Sequence, residues 1–182
     1  MSDRPFTGIV LAGGRSSRMG VDKALLMLDG RSLLDTAIAR LREAGAEQVL
    51  VSGERPAHAG VPDRTAGLGP VGGLASVMAA CPDGAAVVVP VDMPRLSPGA
   101  LRRLVDALDT ARAVYFDGHP LPCGLRVDDA TRAAIAACVA AAPHGPALRS
   151  LLRGLGAVTL QATDAADFEN VNTPAAWAAF SS

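Results

Sequence analysis

The run Ala85 to Pro90 (AAVVVP) constrains the fold more than any other stretch of the chain. Six residues without a polar side chain, rich in valine, cannot alternate between a wet and a dry face. They fit a central strand of a parallel sheet, covered on both sides. Such strands need crossover helices, and the flanking sequence provides helical patterns. Ser97-Pro98 forms an N-cap and first-turn pair, followed by Leu101, Leu104, Val105 and Leu108 on one face. Upstream, Ser32 caps a pattern of Leu34, Ile38 and Leu41, with Gly45 placed to end it. Thr7 to Ala12 and Gln48 to Ser52 read as further strands, Ala113 to Asp117 as another and Val158 to Ala162 as a last one. Val71 to Ala80, Asp129 to Ala142 and Ala147 to Gly154 read as helices. Thr173-Pro174 caps a short helix ending near Phe180. Pro120 to Val127 reads as an extended arm, and residues 53–70 as a long loop rich in glycine, proline and alanine. Strands alternating with helices predict a Rossmann-like, doubly wound and mostly parallel sheet.

Length sets the domain count. With 182 residues the expectation is one domain, 1–182, large enough to fold without disulfide or metal staples. Aromatics are 3% of the chain, so the core must be aliphatic. The net charge of −1 and the absence of a basic stripe argue against nucleic acid as a partner. Cys81, Cys123 and Cys138 are odd in number and form no C-x-x-C, which suggests packing roles in a reducing compartment. The first residues, MSDRPFTGIVLAGG, carry too short an apolar run for a signal peptide, and no run of about 18 apolar residues exists. A cytoplasmic enzyme without a membrane partner is the expectation.

In open α/β sheets ligands bind beyond the carboxyl ends of the strands. The loop after the first strand holds Gly13, Gly14, Gly20, Arg15, Arg18 and Lys23. Glycines let backbone N–H groups approach phosphate oxygens, an arginine can fork onto a phosphate, and a lysine can act as a point charge. The same residues also suit a tight strand-to-helix turn with solvated cations. The loop itself contains neither G-x-x-x-x-G-K-[ST] nor G-x-G-x-x-G, which disfavours a P-loop hydrolase and a dinucleotide-binding dehydrogenase. Asp92 follows the central strand, where a carboxylate could hold Mg²⁺ against phosphate oxygens or simply form a turn before Pro94. Asp63 could be a solvated loop carboxylate, and Asn170 and Asn172 could be turn residues.

The run LAGGRSSRMGVDKALL (Leu11 to Leu26) resembles the signature L-A-[GA]-G-x-S-x-R-M-G-x-D-K-x-L of the molybdenum cofactor guanylyltransferases. That family lies within the nucleotidyltransferase superfamily. Val61-Pro62-Asp63, Gly69-Pro70-Val71-Gly72-Gly73, Pro90-Val91-Asp92-Met93-Pro94 and Asn170-Val171-Asn172-Thr173-Pro174 resemble further family motifs, in the family's order. One departure is Ser52, where family members often carry asparagine. The resemblance implies a sheet of the nucleotide-diphospho-sugar transferase type and transfer of GMP from GTP to molybdopterin or the molybdenum cofactor. It implies a GTP site at Leu11, Ala12, Gly13, Gly14, Lys23, Ser52, Asp63, Gly72 and Asp92. Asp92 would be the Mg²⁺ ligand, Lys23, Arg18 and Asp92 the catalytic residues, and Asn170 and Asn172 part of the acceptor side, with His119 to Pro122 near it. Pathway logic adds molybdoenzyme maturation proteins as partners. Transfer of CMP to molybdopterin, or of a nucleotide to another small acceptor, remains open, as does a non-catalytic carrier.

Overall fold

A computed structural model of the chain describes residues 4–13, 22–65, 67–142, 145, 147–171 and 177. A six-stranded sheet is built from β1 (Phe6–Leu11), β4 (Ala46–Ser52), β5 (Gly84–Pro90), β6 (Ala113–Phe116), β7 (His119–Val127) and β8 (Val158–Leu160), in the order β4-β1-β5-β7-β6-β8. β1 pairs in parallel with β4 and β5, and β6 pairs in parallel with β8. β7 is antiparallel to both of its neighbours. The segment expected to be an extended arm is thus a central strand of the sheet. A two-stranded hairpin, β2 (Met27–Leu28) with β3 (Arg31–Ser32), lies outside the main sheet. Its turn residues Asp29 and Gly30 both have positive φ, 50° and 76°, the backbone for which Asp-Gly is preferred.

Among the described residues five helices cover the sheet: α1 (Leu33–Glu43), α2 (Gly69–Val77), α3 (Pro98–Ala107), α4 (Asp129–Ala141) and α5 (Leu148–Gly154). The central strand explains the layers. Val87 and Val89 point into one core with Leu34, Leu41, Leu101 and Leu104 of α1 and α3. Ala86 and Val88 point into the other, with Val71, Leu74, Ile135 and Leu151 of α2, α4 and α5. Each run of aliphatic residues therefore has a helix to bury against, and the fold is doubly wound as expected. Ser32 and Ser97 cap α1 and α3, accepting from the backbone N–H groups of Asp35 and Ala100. α2 starts at Gly69 rather than Val71, with Pro70 in its first turn and no side-chain cap. The expected C-terminal helix lies outside the described residues, apart from Trp177. Among the described residues no helix is long and apolar enough to cross a membrane.

Candidate active site

Register decides what meets at the sheet edge. Leu11, the last residue of β1, pairs with Ser52 on one side and Pro90 on the other. The residues that follow, Ala12-Gly13, Gly53 and Val91-Asp92, therefore emerge side by side. Phe116 of β6 pairs with His119 of β7, so the Asp117-Gly118 turn opens at the same edge.

On the β1–β4 side the backbones are in close contact. Ala12 N donates to the carbonyl of Ser52 at 3.0 Å. Gly53 has φ 111°, and a Cβ there would stand 2.8 Å from Gly13 N, so only glycine fits. The chain then folds back. Gly53 N donates to Val61 O and Val61 N to Val51 O, both at 2.8 Å, which brings Asp63 beside Gly13. A Cβ on Gly13 would lie 2.8 Å from Asp63 Oδ2. Asp63 is fixed from behind by Ser52 Oγ, which donates to its Oδ1 at 3.2 Å. The next residue is tied to α2, where Ser76 Oγ accepts from Arg64 N and donates to Gly72 O, each at 3.0 Å.

Three of the expected nucleotide residues are thus placed behind the surface, among them Ala12, 3% exposed. Ser52 has 0% exposure, so it orients Asp63 instead of facing solvent. Gly72 is buried inside the first turns of α2, where a Cβ would come 2.4 Å from Leu68 Cβ.

Lys23 and Asp92 face each other across the edge, Nζ to Oδ2 at 3.5 Å, with side chains 17% and 21% exposed. Lys23 opens a short 3₁₀ turn capped by Asp22, whose Oδ1 accepts from Ala24 N at 3.1 Å. The backbone carbonyl of Asp92 accepts from Val171 N at 2.9 Å, which ties the segment carrying exposed Asn170 to this strand end; Asn170 Nδ2 donates to Phe168 O at 3.3 Å. A second tie holds the same segment. Buried Asp167 accepts from Ser97 N at 2.9 Å and Ser97 Oγ at 3.0 Å. Phe168 stacks on His119, with ring centroids 4.5 Å apart, and meets Phe116 edge-on at 4.9 Å. Gly14, Arg18 and Asn172 lie outside the described residues.

Among the described residues no group of three or more acidic, histidine or cysteine side chains gathers as a metal cage. Asp92 is a partly exposed carboxylate at a strand end beside a phosphate-type loop. That donor set fits Mg²⁺, which commonly takes one or two carboxylates and completes its shell with water and substrate phosphates.

Sequence reasoning missed Arg55 and the Ser97–Asp167 tie. Asp22 carried a readable signal, an aspartate directly before a short helical turn. Nothing in the sequence showed that Arg55 or Asp167 would reach across the fold.

This architecture is a fold of the nucleotide-diphospho-sugar transferase type, with the candidate site at the carboxyl edge of β1, β4 and β5. The crystal structure of molybdopterin-guanine dinucleotide biosynthesis protein A from Archaeoglobus fulgidus has the same fold, with a TM-score of 0.74, 20% identity and 96% of each chain covered. The family model of the MobA-like NTP transferase domain matches residues 8–163. The molybdenum cofactor guanylyltransferase of Xanthomonas euvesicatoria pv. vesicatoria (strain 85-10) is 50% identical over 177 residues, which span 96% of this chain and 93% of that one. The molybdenum cofactor guanylyltransferase of Cupriavidus metallidurans (strain CH34) is 31% identical, over 92% of this chain and 90% of its own. The chain belongs to the MobA-like NTP transferase family, and it is a nucleotidyltransferase.

Proposed function

We propose that this chain, acting as one domain over residues 1–182 in the cytoplasm, transfers GMP from GTP to the terminal phosphate of molybdopterin or the molybdenum cofactor. The observation that carries the reading is the 50% identity to a guanylyltransferase over nearly the whole of both chains. The placement of Lys23, Asp92, Gly13 and Asp63 along one sheet edge supports it.

In the reaction an oxygen of the acceptor phosphate attacks the α-phosphorus of GTP. The bond from the α-phosphorus to the α–β bridging oxygen breaks, and pyrophosphate leaves with the electron pair. A phosphate monoester is largely ionised near neutral pH, so no strong general base is required. Catalysis is then positioning and charge stabilisation. Lys23 offsets negative charge building on the transferring phosphates. Backbone N–H groups of Gly13 and Gly14 cradle the triphosphate, with Arg18 as a second cation. Asp63, held by Ser52, accepts from N1–H and the exocyclic amine of guanine. Leu11 shapes the wall of that pocket, with Ala12 and Gly72 backing it from behind the surface. Asp92 would hold Mg²⁺, which supplies charge neutralisation at the phosphate oxygens when bound. Asn170 and Asn172 orient the acceptor. Delivery of the product to molybdoenzymes would involve their maturation proteins.

The test is pyrophosphate release with Mg²⁺ and molybdopterin, comparing GTP, CTP, ATP and UTP. Release with GTP is the expected result. Release with CTP alone would move the chain to cytidylyl transfer. No release from folded protein with any nucleotide would overturn the catalytic reading.

A further inference from the structure

We propose that Arg55 is a positioning residue that ties the end of β1 to Asp22 and so presets Gly13 and Lys23 for the triphosphate. The inference rests on the nucleotide-transfer reading above and adds a residue outside the contacts named there. Arg55 lies beyond β4, in the segment that leads to Asp63. Its side chain is 15% exposed. Nη2 donates to the carbonyl of Ala12 at 2.7 Å and to Asp22 Oδ1 at 2.9 Å, and Nη1 donates to Asp22 Oδ2. Ala12 is where β1 ends, and Asp22 directly precedes Lys23. One guanidinium therefore ties Ala12, directly before Gly13, to Asp22, directly before Lys23.

The surrounding turn is built to aim this side chain. The carbonyl of Arg55 accepts from His58 N and Gly60 N, each at 2.9 Å. Gly60 has no room for a side chain, since a Cβ would lie 2.5 Å from Gly53 O and 2.7 Å from Arg55 Cβ. His58 Nε2 sits 2.8 Å from Asp35 Oδ1, which anchors the turn on α1.

Asp22 links the clasp to the chemistry. Its carboxylate takes the arginine fork and also caps the turn that begins with Lys23. A planar guanidinium can span a carboxylate and a backbone carbonyl together, whereas a lysine ammonium cannot reproduce that fork. With Gly13 and Lys23 held in place, less nucleotide affinity is spent on positioning them. Without the clasp, part of the binding energy goes into bringing the two together.

The experiment measures binding of GTP and CTP with Mg²⁺ by calorimetry, and the melting temperature without nucleotide. It uses the wild type, Arg55→Gln, Arg55→Lys, Asp22→Asn and the double variant Arg55→Gln/Asp22→Asn. Asparagine still caps the turn, so Asp22→Asn removes the ion pair selectively. Arg55→Gln and Asp22→Asn should each weaken triphosphate binding at least about tenfold, as expected for loss of a charged hydrogen-bond pair. The double variant should be little worse than the weaker single, and Arg55→Lys should not restore affinity. Because the clasp acts on the phosphate side, the fold-loss should be the same for either base.

Wild-type affinity in folded Arg55→Gln would overturn the proposal, as would additive losses, full rescue by lysine, or lowered melting temperatures with unchanged affinity. If Arg55→Gln does not fold, Asp22→Asn decides alone by the same criterion. A wild type that prefers CTP sinks the guanylyl reading and leaves the clasp standing. A wild type that prefers GTP, with unaffected variants, sinks the clasp alone. A wild type that binds neither sinks both.

Discussion

Gly73→Ala should destabilise the wild-type protein and yet stabilise a Ser52→Ala variant. Gly73 lies within α2, where alanine is favoured over glycine by about 1 kcal/mol on helix propensity alone. Against that, a Cβ at this position would stand 2.5 Å from Ser52 Oγ. Ser52 is fully buried and its hydroxyl is spent on Asp63. It can escape only by turning that hydroxyl away from its acceptor. Overpacking of this kind costs about 1–3 kcal/mol, so Gly73→Ala alone should lose about 0–2 kcal/mol after the propensity gain. Ser52→Ala alone should lose about 1 kcal/mol, the net value of one buried hydrogen bond. With the oxygen gone, the next neighbours of the new methyl are Leu11 Cδ2 and Ser52 Cβ, both at 3.5 Å, an ordinary contact distance. Gly73→Ala should then become stabilising by up to about 1 kcal/mol. Urea unfolding of the four proteins closes the cycle. A Gly73→Ala variant more stable than wild type would refute the reasoning, because it would mean that Ser52 does not pack where the structure has it. The same variant should weaken discrimination for GTP, since Asp63 loses its support.

Lys23→Ala should fold normally and lose at least about tenfold in pyrophosphate release, the usual cost of removing one charge-stabilising donor; wild-type turnover would remove Lys23 from the mechanism. Asp128→Asn addresses pH. The Arg112 guanidinium, with the Thr131 N–H, holds the Asp128 carboxyl down to about 2, against about 3.9 in an unfolded chain. A depressed folded value contributes stability above about pH 4 that is lost as the pH falls toward about 2. The stability difference between wild type and Asp128→Asn should therefore be flat above about pH 5 and shrink between about 4 and 2; a difference that stays constant through that window would refute the assignment. Burial pushes the Cys123 thiol up to about 12 and the Cys81 thiol up to about 11, while Cys138 is only partly buried. A thiol reagent at pH 8 should titrate Cys138 first and the other two only on unfolding; rapid modification of three thiols in the native protein would contradict the packing.

How much was legible follows from what carried the signal. The doubly wound layout was readable because Val87, Val88 and Val89 have no polar partner among them, so both faces needed a helix. β7 was read as an arm because Pro120 and Pro122 argue against a central strand. The register explains their tolerance. β5 pairs with β7 only from Val127 to Cys123, and the pairing with β6 shifts between Tyr115 and Phe116. Both prolines fall where β7 outruns β5 and the β6 ladder is irregular, so no N–H is missed there. The β2–β3 hairpin had a usable cue in Asp29-Gly30, and the start of α2 had one in Pro70. At the site, the strand-end positions of Gly13, Ser52 and Asp92 were legible from the run of strands and loops. Burial of Ser52 was not, because an end residue looks exposed until the return of Val61 covers it. Nor was the partnership of Arg55 with Ala12, which depends on a fold-back inside residues 53–61 that no periodic pattern marks.

The ties at this edge fall into two groups, and the division fits a two-substrate reaction. On one side β1, β4 and α2 hold Gly13, Asp63 and, through Asp22, Lys23. Arg55, Ser52 and Ser76 are the supporting side chains. On the other side β5, β7 and the segment 165–171 hold Asp92, His119 and Asn170. Ser97, Asp167 and Phe168 support them, with Arg95 paired to Glu169 at 2.7 Å. Each group is braced mainly within itself, so a substrate can be oriented on one side without disturbing the other. They meet where Lys23, in its turn capped by Asp22, faces Asp92, just beyond the end of β5, at 3.5 Å. Under the proposed reaction a cation for the transferring phosphate and a carboxylate for its counter-ion are thereby set side by side. The strand end places Asp92, and the Asp22 cap with its Arg55 fork places Lys23, so both supports bear on the alignment that an in-line displacement between two bound phosphates needs.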